Sequence, residues 1–163
     1  MTSFQPINNQ SQHVFQLASE IWNENYKGII SQNQIDYMLD MMYNSKRIQQ
    51  DLDEGYLWEF ITYNNNMVGY LAYVKKDDNR VFLSKIYLKT SAQGLGIGKQ
   101  ALQHVKTYAQ NCNANAVYLT VNKNNIKGIR AYKKFGFNII AEEVTDIGNG
   151  YVMDDFIFQY KLV

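Results

Sequence analysis

Apolar residues recur every three or four positions in several stretches of the chain, and this spacing predicts amphipathic helices. Two of these stretches lie near the N-terminus, at residues 11–25 and about 32–44, and a third covers about 97–110. A further helix is predicted at 125–135, whereas the charged residues 45–54 indicate either a short helix or a loop. The apolar stripes consist of Val14, Leu17, Ala18, Ile21 and Trp22 in the first helix, Ile35, Met38, Leu39 and Met42 in the second, and Ile97, Ala101, Leu102, Val105 and Ala109 in the third.

Segments rich in β-branched and aromatic residues alternate with these helices. The pair at 57–63 and 67–74 flanks Asn64-Asn65-Asn66, an arrangement typical of a β-hairpin. The element order β-α-α-β-β-β-α-β-α-β-β predicts an α/β (α+β) fold, in which helices cover the faces of a mixed sheet. One domain over residues 1–163 is expected. The predicted strands are residues 3–7, 57–63, 67–74, 80–89, 117–121, 137–144 and 151–162.

Composition and charge narrow the classes of function. The formal net charge is only +1, so neither nucleic acid nor a membrane surface is an expected partner. The apolar runs are too short to span a bilayer, and the N-terminal MTSFQPINNQ lacks the pattern of a signal peptide. Cys112 is the only cysteine, which excludes an intrachain disulfide and fits a cytoplasmic location. His13 and His104 have no partners at ligand spacing, so no metal site is expected.

A glycine-rich stretch, QGLGIGK at 93–99, joins a predicted strand to a predicted helix. Glycine at this density lets the backbone approach a ligand closely, often a phosphate. The P-loop pattern fails, because Gln93 occupies its first glycine position and Gln100 its hydroxyl position. The dinucleotide pattern requires a glycine where Lys99 or Ala101 stands, although alanine is sometimes allowed last. A turn that merely permits tight packing is the alternative to a phosphate site.

A third pattern, [RQ]-x-x-G-x-[GA], is satisfied in register by Gln93, Gly96 and Gly98. A second block, LTVNKNNIKGIRAYKKFGF, matches N-x-x-[AG]-x-x-x-Y-x-x-x-G-F. In both blocks the chain resembles the GNAT superfamily of acyl-coenzyme A-dependent N-acyltransferases, and this resemblance extends from Leu57 to the C-terminus. The segments NYKGIISQNQIDYMLDMMYN and IGNGYVMDDFIFQYKL are also similar to a bacterial diamine or polyamine acetyltransferase-like branch. The second block is filled by Asn125, Gly128, Tyr132, Gly136 and Phe137.

The resemblance implies a mostly antiparallel sheet of about 6–7 strands flanked by about 4 helices, and acetyl-coenzyme A as co-substrate without a metal. Main-chain amides of the loop would bind the pyrophosphate, and the preceding strand would carry the pantetheine arm along its exposed edge. A backbone amide near Leu88 would polarise the thioester carbonyl. The side chains of Ile86 and Leu88 are expected in the core. The implied coenzyme-binding residues are Ile86, Tyr87, Leu88, Gln93, Gly94, Leu95, Gly96, Ile97, Gly98, Lys99, Asn125 and Tyr132.

Tyr132 stands where the family carries its general acid. A phenol with a pKa near 10 holds a proton for a departing thiolate with a pKa near 8.5. The alternative for Tyr132 is an aromatic side chain that only packs between helix and sheet. Asn125 begins the same helix, where it is expected to cap the helix, to bind the coenzyme arm, or to do both.

The acceptor amine raises a proton problem. A primary ammonium has a pKa near 10.4, so its deprotonation at pH 7 costs about 4.6 kcal/mol. Many relatives carry a glutamate on the strand before the glycine loop, but VFLSKIYL has Ser84 and Lys85 there and no carboxylate. This difference favours a relay through ordered water over a direct general base.

Five residues are candidates for the acceptor site. Asp154 and Asp155 could neutralise a cationic acceptor, but adjacent strand residues point to opposite faces, so at most one enters a site. A solvated strand end is the alternative. Aromatic side chains of the first two helices could line the pocket, although aromatics at helical spacing are more often core. These aromatic candidates are Trp22, Tyr26 and Tyr37.

These features predict an N-acetyltransferase in which a primary amine attacks the thioester directly, because no cysteine or serine is arranged as a nucleophile. A small amine such as a diamine or polyamine is the expected acceptor. A protein or peptide amine is the alternative acceptor, and a sensor module that binds acyl-coenzyme A without turnover is the alternative from a different class. A homodimer is a further possibility, since many relatives pair through sheet edges.

Overall fold

The computed structural model describes all 163 residues and contains one seven-stranded sheet. The order across the sheet is β1-β2-β3-β4-β5-β7-β6, and only β4 and β5 are parallel. The mixed, mostly antiparallel sheet expected from the sequence is therefore confirmed. The strands are β1 (Thr2–Pro6), β2 (Leu57–Tyr63), β3 (Asn66–Lys75), β4 (Arg80–Leu88), β5 (Ala116–Asn122), β6 (Asn138–Gly148) and β7 (Tyr151–Lys161).

Five α-helices accompany the sheet, one more than the four predicted. The additional helix covers the charged segment that the sequence left open between helix and loop. It forms because the Asn44 side chain accepts a hydrogen bond from the Arg47 amide at 2.8 Å, and because Ile48 is buried. None of the helices has the length and apolar character of a membrane span. The helices are α1 (Ser11–Asn25), α2 (Gln32–Tyr43), α3 (Ser45–Asp53), α4 (Ile97–Asn111) and α5 (Ile126–Phe135).

The sheet separates two hydrophobic clusters. One cluster lies under α4, whose predicted apolar face is buried, and the other lies under α1, α2 and α3. In α2 the buried stripe ends at Tyr43, whereas Met42 is only half-buried and faces a cavity above the sheet.

The two parallel strands separate soon after they meet. Residues 80–82 of β4 pair with 116–118 of β5, and no pairing follows beyond Phe82 and Tyr118. A V-shaped cleft therefore opens inside the sheet, and main-chain groups along its walls lack strand partners. The cleft lies next to the glycine loop that follows β4.

A β-bulge interrupts β4 within this region. Lys85 pairs with Ala72 and Leu83 pairs with Tyr73, which leaves Ser84 without a partner on β3. In a regular strand, the neighbours Ser84 and Lys85 would point to opposite faces. The bulge instead turns both toward the face covered by α1, α2 and α3.

Candidate active site

The glycine loop turns directly into α4. Gly94 and Gly96 adopt φ values of +80° and +81°, in the left-handed region that favours glycine. The first main-chain bond of α4 joins the Gln100 amide to the Gly96 carbonyl, and no side chain caps the helix. The amides of residues 97–99 are therefore free for a ligand at the positive end of the helix dipole. No acidic residue occupies this first turn.

The structure does not require a glycine at position 98. It lies inside α4 with an ordinary φ, and an added Cβ would only contact Leu88 Cδ1 at 3.7 Å. Glycine inside a helix costs about 1 kcal/mol relative to alanine. Because the fold does not need this glycine, close approach of a ligand to the backbone is the reason that we infer for Gly98. The loop thus has free amides and open space where the sequence predicts a pyrophosphate site, and this assignment stays a prediction.

Gln93 fixes the loop against the end of β4. Its side-chain amide donates to the Leu88 carbonyl at 3.3 Å and to Asn25 Oδ1 at 3.4 Å. Asn25 donates to the same carbonyl at 3.3 Å. Gln93 thus positions the loop, while Leu95 and Lys99 are exposed beside it.

The cleft-facing edge of β4 includes two of the three residues expected there. The Lys89 amide bonds to Val68 on the β3 side, whereas the Leu88 carbonyl is bound by side chains on the other side. The N–H and C=O groups of successive residues in a strand point to opposite sides. Those of Ile86 therefore point toward the cleft, as those of Leu88 do, whereas those of Tyr87 point toward β3. The expectation for Tyr87 is corrected accordingly: its main chain faces β3, and its side chain lines the cavity under α1.

Tyr132 projects from α5 and packs against Phe137 and Phe158, with ring centroids 6.0 Å apart in each pair. Burial, and then the nearby Tyr26, raise the pKa of Tyr132 above its ordinary value. Burial, followed by several neighbouring tyrosines that include Tyr132, raises the pKa of Tyr87 as well. The phenol keeps its proton at neutral pH, as an acid requires.

Asn125 caps α5. Its Oδ1 accepts a hydrogen bond from the Gly128 amide at 3.0 Å. An added Cβ at Gly128 would lie 2.8 Å from Asn125 Nδ2, so the glycine makes room for the cap. The capping alternative of the sequence is therefore present in the structure.

A cavity of about 200 Å³ lies between α1, α2 and the sheet. Aromatic and thioether side chains form its upper wall. Polar side chains from four strands form its floor, which spans the cleft between β4 and β5. The upper wall includes Trp22, Tyr26, Met38 and Met42, and the floor includes Ser84, Thr120, Asn122, Glu143, Thr145 and Asp155.

Asp155 is the most unusual residue of this floor. It is 5% exposed, and its Oδ1 has no hydrogen-bond partner. The register places Asn122 on one side of it and Glu143 on the other, so two carboxylates face each other across β6 and β7. Burial, with Asp154 and Glu143, raises the pKa of Asp155 to about 6, despite the opposing effect of Lys123. Like charges placed opposite each other on a sheet are destabilising, so this pair suits a cationic ligand.

Three of the five expected acceptor residues meet at the cavity. Trp22 and Tyr26 line it together with Asp155, and the Tyr26 hydroxyl lies 3.2 Å from that of Tyr87. Trp22 also serves the core, because its Nε1 donates to Tyr70 at 2.9 Å.

Tyr37 and Asp154 do not reach the cavity, and the expectations for them are corrected. The Tyr37 hydroxyl donates to the Ile147 carbonyl at 2.7 Å, which joins α2 to the hairpin of β6 and β7. Asp154 points to the opposite face of β7 from Asp155 and pairs with Lys123 at 2.8 Å.

Glu143 and Ser84 were missed as cavity residues. A signal for Glu143 exists in the sequence, because a hairpin centred on Asn149 pairs it with Asp155. Ser84 was noted only as a departure from the family. Its place in the floor depends on the bulge, which the alternation of residues does not indicate.

The chain belongs to the acetyltransferase (GNAT) family, whose model matches residues 12–137. It is therefore an N-acetyltransferase, and the fold and class of enzyme expected from the two sequence blocks are confirmed.

Curated relatives differ in their acceptors. The spermine/spermidine N(1)-acetyltransferase of Bacillus subtilis is 29% identical over 123 residues, which cover 69% of this chain and 78% of that protein. The peptidyl-lysine N-acetyltransferase YjaB of Salmonella typhimurium is 26% identical over 131 residues, which cover 76% and 83%. The fold matches the PaiA N-acetyltransferase of Thermoplasma acidophilum, solved in complex with coenzyme A. That match has a TM-score of 0.83 at 21% identity and covers 99% of both chains.

Proposed function

We propose that this enzyme transfers the acetyl group of acetyl-coenzyme A to a primary amine of a small cationic molecule such as a diamine or polyamine. The main support is the buried, unpartnered carboxylate of Asp155 beside Glu143, in a cavity bordered by aromatic and methionine side chains. Carboxylates suit ammonium groups, and an apolar wall suits the methylene chain between them.

The size of the cavity also favours a small acceptor. Its volume of about 200 Å³ suits a short aliphatic chain. The naming of a Bacillus subtilis relative as a spermine/spermidine N(1)-acetyltransferase agrees with this choice.

The transfer step uses groups from both sides of the cleft. Acetyl-coenzyme A supplies an activated acetyl group as a thioester. Free amides of residues 97–99 bind its pyrophosphate, and the cleft-facing amide of Ile86 or Leu88 donates to the carbonyl oxygen as negative charge develops there. The amine attacks from the cavity, and the Tyr132 hydroxyl donates its proton to the departing thiolate.

A lysine side chain of a peptide is the second candidate acceptor. A relative named as a peptidyl-lysine N-acetyltransferase favours it, and a single extended lysine side chain would fit a narrow cavity. In a lysine peptide the one side-chain amine is the reacting group, so no second ammonium remains for the carboxylates. A diamine or polyamine supplies that second ammonium, and the acidic pair therefore favours it.

The test measures thiol release from acetyl-coenzyme A with putrescine, spermidine, spermine, amino acids, aminoglycosides and a lysine peptide. We expect turnover with the diamine or polyamines. Asp155→Asn should raise the KM for them by about 10- to 100-fold, the usual loss for a charge-assisted hydrogen bond. Asp154→Asn is the matched control, since its neighbouring carboxylate faces away, and it should change this KM little.

Two results would contradict the proposal. Turnover of the peptide alone would favour the second candidate. Binding of acetyl-coenzyme A without any amine-dependent release would favour a sensor. Tyr132→Phe separates enzyme from sensor, because an enzyme should lose about 10²-fold in kcat while coenzyme binding stays nearly unchanged.

A further inference from the structure

The amine must lose a proton before it attacks, and the cleft edge of β4 has no carboxylate to accept it. On the cavity side of β4, the β-bulge supplies two groups that can carry a proton. Ser84 lines the cavity floor, and Lys85 follows it on the same face of the sheet.

Lys85 is a buried amine with few polar partners. It is 6% exposed, forms no ion pair, and lies over the rings of Trp58 and Tyr43 at 5.1 and 5.7 Å. Its Nζ has one hydrogen-bond partner, Ser84 Oγ, at 3.2 Å. A lysine has three donors, so this environment favours its charged form poorly.

The charged groups that face Lys85 come from α3. Asp51 favours its protonation and Arg47 opposes it, and these two residues pair with each other at 3.1 Å. The helix α2 and strand β2 face Lys85 with the uncharged Tyr43 and Trp58. Burial is the largest effect, and it lowers the pKa of Lys85 to about 8.

The Ser84 hydroxyl therefore stands between the cavity and a buried amine that deprotonates readily. We propose that Ser84 and Lys85 form the proton relay of the transfer reaction. The substrate ammonium gives a proton to Ser84 Oγ as the Ser84 hydroxyl proton passes to neutral Lys85 Nζ. Serine ends unchanged, Lys85 becomes an ammonium, and the freed lone pair of the amine attacks the acetyl carbonyl. As the C–S bond breaks, Tyr132 protonates the departing thiolate, and the nitrogen of the new amide gives its remaining excess proton to the Tyr132 phenolate. After the product leaves, Lys85 releases this proton through Ser84 to solvent in the cavity.

Lys85 suits this role better than the other buried acid–base group of the site. Efficient proton transfer requires an acceptor whose pKa approaches that of the donor and the working pH. A primary ammonium has a pKa near 10.4, and the value of about 8 for Lys85 lies closer to it than the value of about 6 for Asp155. The relay rests only on N-acetyl transfer, whichever amine is the acceptor, and leaves Asp155 to bind a cation.

The experiment is the pH dependence of kcat/KM for the wild type, Ser84→Ala, Ser84→Thr and Lys85→Met, with putrescine as acceptor, or the lysine peptide if only that is acetylated. A wild-type relay gives a rate that rises with pH and levels near pH 8, because Lys85 must be neutral. Without the relay, the Ser84→Ala and Lys85→Met rates should fall on the order of 10²-fold at pH 7. In both variants kcat/KM should continue to rise with pH above pH 8, up to the pKa of the substrate amine. Ser84→Thr retains the hydroxyl and should restore the wild-type profile.

A second acceptor distinguishes a relay from a structural role. In 2,2-difluoroputrescine, fluorine lowers the pKa of the adjacent amine, so less proton removal is needed. The ratio of wild-type to Ser84→Ala rates should shrink with this acceptor. Equal losses with both acceptors, or an unchanged pH profile in Ser84→Ala and Lys85→Met, would overturn the relay. Failure of the diamine proposal gives a different result, since putrescine would then be inert while the peptide is acetylated.

Discussion

At the scale of single residues, Gly98 and Asp155 both reduce the stability of the isolated protein. Gly98 occupies a helical position that alanine would fill without a clash, and Asp155 buries a carboxylate beside another one. Residues that cost stability without serving the fold are expected at functional sites. Each of them yields a measurement in which stability and ligand binding change in opposite directions.

Gly98→Ala should stabilise the protein by up to about 1 kcal/mol, because alanine favours the helix. The same change should weaken binding of acetyl-coenzyme A, because a methyl group would stand in front of the free amides. Thermal unfolding and a coenzyme titration check the two effects. Gly96→Ala is the control: its φ of +81° strains any other residue, so it should lose stability as well as affinity. Normal coenzyme binding by Gly98→Ala would contradict the phosphate site.

Asp155→Asn should change the pH dependence of stability. The folded state raises the pKa of Asp155 from 3.8 to about 6, so it binds more protons than the unfolded chain in this window. The wild type therefore loses stability as pH rises from about 4 to 6, and the loss persists above that range. At 1.36 kcal/mol per pKa unit, the loss is about 3 kcal/mol.

Urea denaturation of both proteins at pH 4 and pH 8 measures this effect. The amide introduced by Asp155→Asn cannot ionise, so between pH 4 and pH 8 the stability of the variant relative to the wild type should rise by most of this amount, about 2.4 kcal/mol. Asp154→Asn provides the comparison, because that carboxylate is exposed and already paired with Lys123. A constant difference between wild type and Asp155→Asn at both pH values would contradict the burial of an ionised Asp155.

At the scale of elements, the hairpin of β6 and β7 determines the acidic part of the cavity. It supplies both Glu143 and Asp155, and its turn is attached to α2 through the Tyr37 hydroxyl and the Ile147 carbonyl. Gly148 accommodates this contact, since an added Cβ would lie 2.7 Å from that hydroxyl.

Tyr37→Phe should therefore cost about 1 kcal/mol of stability, the usual contribution of one hydrogen bond. It should also raise the KM for the amine several-fold without changing the KM for acetyl-coenzyme A. The loosened turn lies on the side of Glu143 and Asp155, whereas Phe158, which packs against Tyr132, lies at the other end of the hairpin. Denaturation and steady-state kinetics measure the two effects. Tyr151→Phe keeps the neighbouring ring and leaves the Ile147 contact intact, so it serves as the control. Equal effects on both KM values would contradict this separation of the two sites.

The elements themselves were largely predictable, because periodicity reports which side of a helix or strand is buried. The apolar face of α4 and the order of helices and strands along the chain follow directly from the sequence. The β-bulge at Ser84 does not, since it depends on how β3 and β4 pair. Tyr37 shows the same limit: its spacing suits a pocket as well as a core, and a distant carbonyl decides its position.

At the scale of the whole molecule, the sheet is continuous only at one end of β4 and β5. Three residue pairs join these strands, and beyond them the sheet divides into one part with β1 to β4 and another with β5 to β7. The glycine loop follows β4 of the first part, whereas Glu143 and Asp155 belong to the second part. The proposed coenzyme site and the proposed acceptor site therefore lie on opposite sides of the gap between β4 and β5.

The floor of the cavity crosses this gap, with Ser84 and Tyr87 on one side and Thr120 and Asn122 on the other. A ligand lying in the cleft would complete the floor beneath the amine. We therefore expect a compulsory order, in which acetyl-coenzyme A binds first and coenzyme A leaves last. Product inhibition by coenzyme A should be competitive toward acetyl-coenzyme A and noncompetitive toward the amine, and a random-order pattern would contradict this. Amine affinities measured on the coenzyme-free protein will then understate those of the working enzyme.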